Sequence, residues 1–449
     1  MLSYILPFIA LIMVVVFIHE YGHYYFAKRY GVGVTDFSIG FGKEMFGWND
    51  KSGTRWKICW IPLGGYVKFF GDRNVFSQAD QEKIIKQYSK EDQKKLFVLK
   101  PLYQRALIVV AGPLANFLLA IVIFFSVYTF VGKDFTPAVI NEVQEDSPAM
   151  ISGLKNNDII VSIDGNKVKS IMEVSKFIMM STDEFIDFTV KRSNQNLIFK
   201  VKPNIVASED NLGNKVNKRM VGIKLGAYNN EINHVKLGPT KAIYYAISEV
   251  YFVSASTLKY LGSMLTGSGD SSQLGGPIRI AKITGQVAEF GLLPFLSVMA
   301  YISISLGLVN LFPIPLLDGG HLMFYGFEKI LGHPLSQKVQ EGFFRIGMFL
   351  LLSLMFFTTF NDLKDLGLFA AGFEGGLKFS GVAAFGGSTF TLKSGSTANA
   401  VLTQSEAASG FKVFTREGRQ IAGIPLSGTD ATNLLTVDNG FNRNATYRA

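Results

Sequence analysis

The sequence predicts a polytopic α-helical membrane protein with about four transmembrane helices, a membrane-associated β-hairpin region and one inserted β-rich domain. Three observations predict it. Apolar residues are gathered into long runs, a basic stretch separates the first two runs, and a soluble-type composition separates the second from the third. The chain has 449 residues, 48% of them hydrophobic and 39 of them Phe, and its mean hydropathy is +0.25. That length is too great for one compact core.

A helix needs about 20 mostly apolar residues to cross a hydrocarbon layer. The candidate spans are Tyr4 to Ala27, Ala106 to Val131, Leu292 to Leu311 and Phe343 to Phe360. The third contains Ser303 and Ser305 and ends in a Pro-rich stretch. The first reads as a retained span and not a signal peptide, because no Lys or Arg precedes it and no small-residue cleavage site follows. The formal net charge of +9 admits nucleic acid, an anionic membrane surface or a loop bias. No basic-aromatic RNA-binding pattern is present, so the membrane readings are preferred. Fourteen Lys and Arg lie from Lys28 to Lys100. They place that segment on the cytoplasmic side of the membrane, and the segment after the second span outside it.

Residues 31–102 begin with a Gly- and aromatic-rich region, Val34 to Phe70, expected as short strands and tight turns. The highly charged Asp72 to Lys100 is expected as a solvated helical stretch. Residues 133–225 read as the β-rich domain, with strand-type runs at Ile159 to Ile163 and Phe188 to Val190, and a short helix over Met172 to Met180. Residues 226–285 are expected as an amphipathic helix, Pro239 to Leu265, and a Gly/Ser-rich link, Gly267 to Gly276. Residues 286–365 hold the last two spans. Residues 366–449 contain no run long enough to span.

The first span, within residues 1–30, contains His19-Glu20-Tyr21-Gly22-His23. Positions i and i+4 share one helix face, so the two imidazoles can bind one zinc ion beside a glutamate able to act as general base. In a soluble helix this HExxH pattern arises by chance. Inside a span, ionisable groups are costly, and metal binding satisfies all three. The single Cys59 excludes an intramolecular disulfide and a Cys-based zinc site. A catalytic zinc usually takes three protein ligands. The third is expected from Asn310 to His321, where two prolines and two glycines break the backbone. Asp318 is preferred; its alternative role is to cap a following helix. His321 is the rival ligand.

HExxH in the first span, Gly64-Gly65-Tyr66, Gly112 to Asn116 in the second span (residues 103–132) and Asn310 through Asp318-Gly319 together resemble the site-2 protease family, in its bacterial RseP (regulator of sigma-E) form. The resemblance covers residues 1 to 365. It implies a zinc-dependent intramembrane protease with His19, His23 and Asp318 as ligands and Glu20 as catalytic base. It implies a substrate-holding role for Asn310, a structural or substrate-related role for Asn116, and a hairpin around Gly64 and Gly65 that meets substrate as an added strand. Ser147-Pro148-Ala149 through Asp164-Gly165 resembles a PDZ domain, which implies binding of a peptide or C-terminus. The partners implied are single-span membrane proteins such as an anti-sigma factor or remnant signal peptides, and the lipid bilayer. The tail, 366–449, has no counterpart in the family. A catalytically silent, membrane-protein-binding relative is the competing reading. A zinc transporter would need further intramembrane acidic or His residues, and the spans hold almost none.

Overall fold

The computed structural model describes residues 2–71, 87–181, 183–209, 215–227, 233–266 and 274–365, with short strands between 377 and 448. Most of the expected charged helix after Asp72, and the Gly/Ser link at 267–273, lie outside the described residues. Apart from a four-residue turn of helix at Lys90–Gln93, nine α-helices among them organise the chain: α1 (Leu2–Arg29), α2 (Leu102–Ser126), the short α3 (Pro148–Ser152), α4 (Ile171–Met180), α5 (Pro239–Leu265), α6 (Pro277–Glu289), α7 (Leu292–Asn310), α8 (Asp318–Leu331) and α9 (Gln337–Asp365). Four of them, α1, α2 with its continuation to Val131, α7 and α9, are long and apolar enough to cross a membrane. By length and composition the chain is a multi-pass membrane protein.

These helices pack because their apolar side chains continue around more than one face. Leu11 and Val15 of α1 meet Ala120, Ile123 and Phe124 of α2, Ala246, Val250 and Val253 of α5, and Met299, Ala300 and Ile304 of α7 in one buried cluster. The expected amphipathic helix is thus α5, whose small-residue stripe lies against the spans while Tyr244 and Tyr251 stay exposed. The short α3, and α6, had no counterpart in the sequence reading, and α8 entered it only as the helix that Asp318 would cap. Gly276-Pro277 starts α6, since Pro fits the first helical position. Helix α8 begins at Asp318 itself.

The hairpin is longer and more bent than expected. Its strands are β1 (Val34–Asn49) and β2 (Arg55–Phe69). Asp36 to Ile39 meets Lys68 to Gly65 on one side and Arg55 to Ile58 on the other, while Glu44 to Asn49 meets Cys59 to Arg55. Two strands therefore make four paired segments. They fold back at Gly40, Gly42 and Gly64, all at positive φ, a conformation that costs glycine little. An aromatic stack holds the sheet to α1. Phe37 is 4.2 Å from Trp56, which lies 5.1 Å from Tyr24 of α1. At the tip, Asp50 accepts from Ser52 N–H, Ser52 Oγ, Thr54 N–H, Tyr24 Oη and Trp56 Nε1.

The β-rich domain is a sheet in the order Ile223–Ala227, Ala138–Val143, Ile159–Ile163, Ile186–Arg192, Gln195–Val201. Its core includes Ile140, Ile163, Phe188 and Val190. The sheet ends beyond residue 225, and a separate hairpin, Asn204–Glu209 with Lys215–Met220, precedes its last strand. Lys176 of α4 pairs with Glu249 of α5, and Tyr301 Oη of α7 donates to the same carboxylate at 3.1 Å. The chain divides into two units, 1–359 and 360–449. The described strands of the second form a four-stranded and a three-stranded antiparallel sheet.

A buried ion pair ties α2 to α8. Arg105 is 4% exposed, and its guanidinium grips both Glu328 oxygens at 3.1 and 2.5 Å and donates to Lys100 O. Removing one partner of such a pair leaves a buried charge alone, at about 3–5 kcal/mol. Glu328→Ala is therefore expected to lower the unfolding midpoint in detergent strongly. An unchanged midpoint would show that the pair does not clamp α8. Burial works against the Asp50 charge, but the hydrogen bonds from Ser52, Trp56, Thr54 and Tyr24 outweigh it and hold its pKa well below the ordinary value. A depressed folded pKa means the stabilisation is present above about pH 4 and is lost as pH falls through the folded value. Hydrogen exchange at Lys51 to Arg55 should be slow at neutral pH and speed up only in strong acid, whereas Asp50→Ala should exchange fast throughout. Equal protection in both proteins at neutral pH would refute this.

Candidate active site

The HExxH residues lie in the last third of α1, one turn before Lys28 and Arg29 close it. The helical spacing stacks the two rings edge to face, 4.8 Å between centroids. α1 crosses α2 there at close range. A Cβ on Gly112 would stand 2.2 Å from His23 Nε2, and one on Gly22 would stand 2.4 Å from Ala111 O. Only hydrogen at these positions lets the ring lie on the α2 backbone. His23 Nδ1 then donates to Ile108 O at 2.8 Å, which fixes the proton on Nδ1 and turns the Nε2 lone pair inward.

Asp318 arrives from a part of the chain distant in sequence. α7 ends at Asn310, and Pro313 and Pro315 prevent the helix from continuing. Leu316 takes φ 90° in the turn, a conformation that bulky residues hold only where the surroundings force it. The first turn of α8 then packs against the loop it has just left. A Cβ on Gly319 would be 2.2 Å from the Leu311 and Phe312 carbonyls. Asp318 heads α8, but the cap position is Leu317 and makes no side-chain cap. The Asp318 carboxylate points instead at the imidazoles: Oδ2 is 3.2 Å from His19 Nε2 and 3.5 Å from His23 Nε2. His321, the rival, rests its ring against Phe324 and Phe344 and does not join the group.

The two Nε2 atoms are themselves 3.2 Å apart. Three lone-pair-bearing atoms thus form a triangle with edges of 3.2, 3.2 and 3.5 Å, and Asp318 Oδ2 is buried without a hydrogen bond. One proton could bridge one edge and would leave the others repulsive. Tetrahedral ligands about 2.0–2.1 Å from zinc stand about 3.3 Å from one another. The residues therefore fit zinc in both donor chemistry and spacing. Among the described residues they are the one group of three or more His, Cys, Asp or Glu side chains close enough to hold a metal.

Glu20 lies on the side of α1 that faces β2. The Val67 N–H donates to its carboxylate, and a Cβ on Gly65 would come within 3.0 Å of its Cγ. The Gly64-Gly65 bend thus brings an edge segment of the sheet against the glutamate. Asn310 Nδ2 lies 3.5 Å from His19 Nε2. Asn116 is fully buried behind His19, with Nδ2 at 3.2 Å from Nδ1. Sequence reasoning missed Ile108 and Val67, because each contributes only a backbone group and carries no side-chain signal.

Comparison with known proteins identifies the family. Residues 7–354 match the model of Peptidase family M50. Over 364 residues the chain is 40% identical to Putative zinc metalloprotease Atu1380 of Agrobacterium fabrum, covering 81% of this chain and 96% of that protein. It is 33% identical over 401 residues to Metalloprotease MmpA of Caulobacter vibrioides, covering 84% and 100%. The PDZ domain of an SdrC-like protein from Listeria innocua aligns at 24% identity with 21% of this chain and 99% of its own, at a TM-score of 0.17; so low a score leaves the domain's fold to rest on its own sheet order. A match of that extent, on a chain whose own donor set suits zinc, places this protein in peptidase family M50 as a zinc metalloendopeptidase.

Proposed function

We propose that the chain hydrolyses peptide bonds in the transmembrane segments of single-span membrane proteins, at the cytoplasmic edge of a bacterial inner membrane. One observation carries the reading: two of the three metal-donor side chains sit on a helix long and apolar enough to span. His19, His23 and Asp318 would hold the zinc, which when bound supplies Lewis-acid polarisation of the scissile carbonyl. Glu20 takes a proton from the attacking water as its oxygen bonds the carbonyl carbon. It returns that proton to the amide nitrogen as the C–N bond breaks. The Asn310 amide supplies a donor toward the carbonyl oxygen.

A helical substrate must unwind locally first, because its carbonyls are bonded within its own helix. The Gly64 to Phe69 segment, next to Glu20, offers backbone groups to which an extended segment can add as a strand. Exposed Phe41, Met45, Phe46, Trp48, Trp60 and Ile61 suit a hairpin dipped into the membrane surface. The basic 28–100 segment sets the orientation, leaving the PDZ-like domain outside, where it can bind a peptide or C-terminus. Trimmed anti-sigma factors and remnant signal peptides are the substrates implied by the family resemblance.

The test is cleavage of a tagged single-span substrate in proteoliposomes, read alongside zinc content. Wild type should cut. Glu20→Gln should keep zinc and lose about 10²–10⁴-fold in rate, while Asp318→Ala should lose the metal. Equal turnover by Glu20→Gln would remove the glutamate from the chemistry. A zinc-loaded wild type inert toward trimmed substrates would favour the silent, binding-only relative. Gly112→Ala should also lose zinc, since its methyl occupies the place of the His23 ring; normal zinc content in that variant would contradict the packing argument. Gly65→Val should depress turnover at full zinc content, because it displaces Glu20; undiminished turnover would count against the strand contact.

A further inference from the structure

Asn116 is fully buried. Its backbone carbonyl accepts from Ser303 Oγ of α7 at 2.9 Å, which fixes the residue where α2 and α7 touch. Its side chain faces the back of the His19 ring, with Nδ2 3.2 Å from Nδ1. Its Oδ1 is buried and accepts no hydrogen bond.

In that orientation the amide offers a donor to His19 Nδ1. A neutral imidazole carries one N–H. His19 Nε2 faces Asp318 Oδ2 and His23 Nε2 at 3.2 Å each, so a ligating His19 must present its lone pair there and carry its proton on Nδ1. An N–H would then oppose an NH₂ group. Turning the amide half a revolution about Cβ–Cγ leaves its shape unchanged and exchanges oxygen for nitrogen. The oxygen then accepts from Nδ1–H, and the orphaned acceptor gains its partner.

We propose that Asn116 is a positioning residue of the metal site, its side-chain oxygen accepting from His19 Nδ1–H and so holding the tautomer that frees Nε2 for zinc. The inference rests on reading His19, His23 and Asp318 as the ligands. It gives the two imidazoles matching supports on α2: Ile108 O behind His23 and the Asn116 amide behind His19. It also moves Asn116 from substrate contact, where the family resemblance left it open, to the ligand's far side.

The experiment is zinc affinity of the full chain in detergent, measured by competition with a chelator, with unfolding of the zinc-free protein as control. Asn116→Leu keeps the volume and removes the acceptor; its zinc affinity should fall about 10–100-fold. Asn116→Asp keeps an acceptor and should bind zinc as tightly as wild type or tighter. Loss of affinity in both variants to the same degree, matched by weaker zinc-free folds, would make Asn116 a space-filling residue and overturn the proposal. Unchanged affinity in Asn116→Leu would overturn it as well. If wild type and His19→Ala bind zinc equally, the ligand reading itself fails, and that result is separable from the Asn116 outcomes.

Discussion

Three electron-pair donors brought within 3.5 Å of one another are the constraint on which the molecule is arranged. Such a cluster is repulsive unless a cation or protons occupy its centre, so the fold must supply the force that assembles it. That force comes from apolar packing on both sides. α1 is pressed onto α2 through Gly22 and Gly112, and the α7–α8 turn is compacted by two prolines and by Gly319 against its own carbonyls. The Arg105–Glu328 pair then anchors α8, with Asp318 at its head, to the same α2 that supports the histidines.

The site depends as much on backbone as on side chains. Ile108 offers a carbonyl to His23, and Val67 offers an N–H to Glu20. Neither group changes with residue identity, so each persists only while the helix or strand bearing it stays in register. The bends of the hairpin at glycine are therefore part of the site: they are what lay Gly65 and Val67 along α1.

Much of this was legible in the sequence because the relevant signals are local. Long apolar runs mark α1, α2, α7 and α9, and i, i+4 spacing marks the histidine pair. Asp318 stood out because prolines and glycines crowd around a lone carboxylate at the end of a span. What escaped was non-local. No periodicity in Val34 to Phe69 shows that Asp36 to Ile39 has partners on both sides, since that depends on where two strands bend. α6 hid because Pro277–Glu289 is short and follows directly on a glycine-rich link, with Arg279, Lys282 and Glu289 interrupting its apolar residues. Asn116 was recognised as a residue with a role, but only the packing of α2 on α1 shows which side of His19 it stands on.

α7 has contacts at its middle and at its C-terminal end. Tyr301 Oη, midway along the helix, donates to Glu249, whose carboxylate also pairs with Lys176 of the β-rich domain, and Asn310 at the C-terminal end stands 3.5 Å from His19. Nine residues of helix separate the two, about 13–14 Å at about 1.5 Å per residue. Over that distance a packed helix behaves as a rod. The soluble domain and the metal site are thus fastened to the same stiff C-terminal half of one helix, with no loop between them to absorb a displacement.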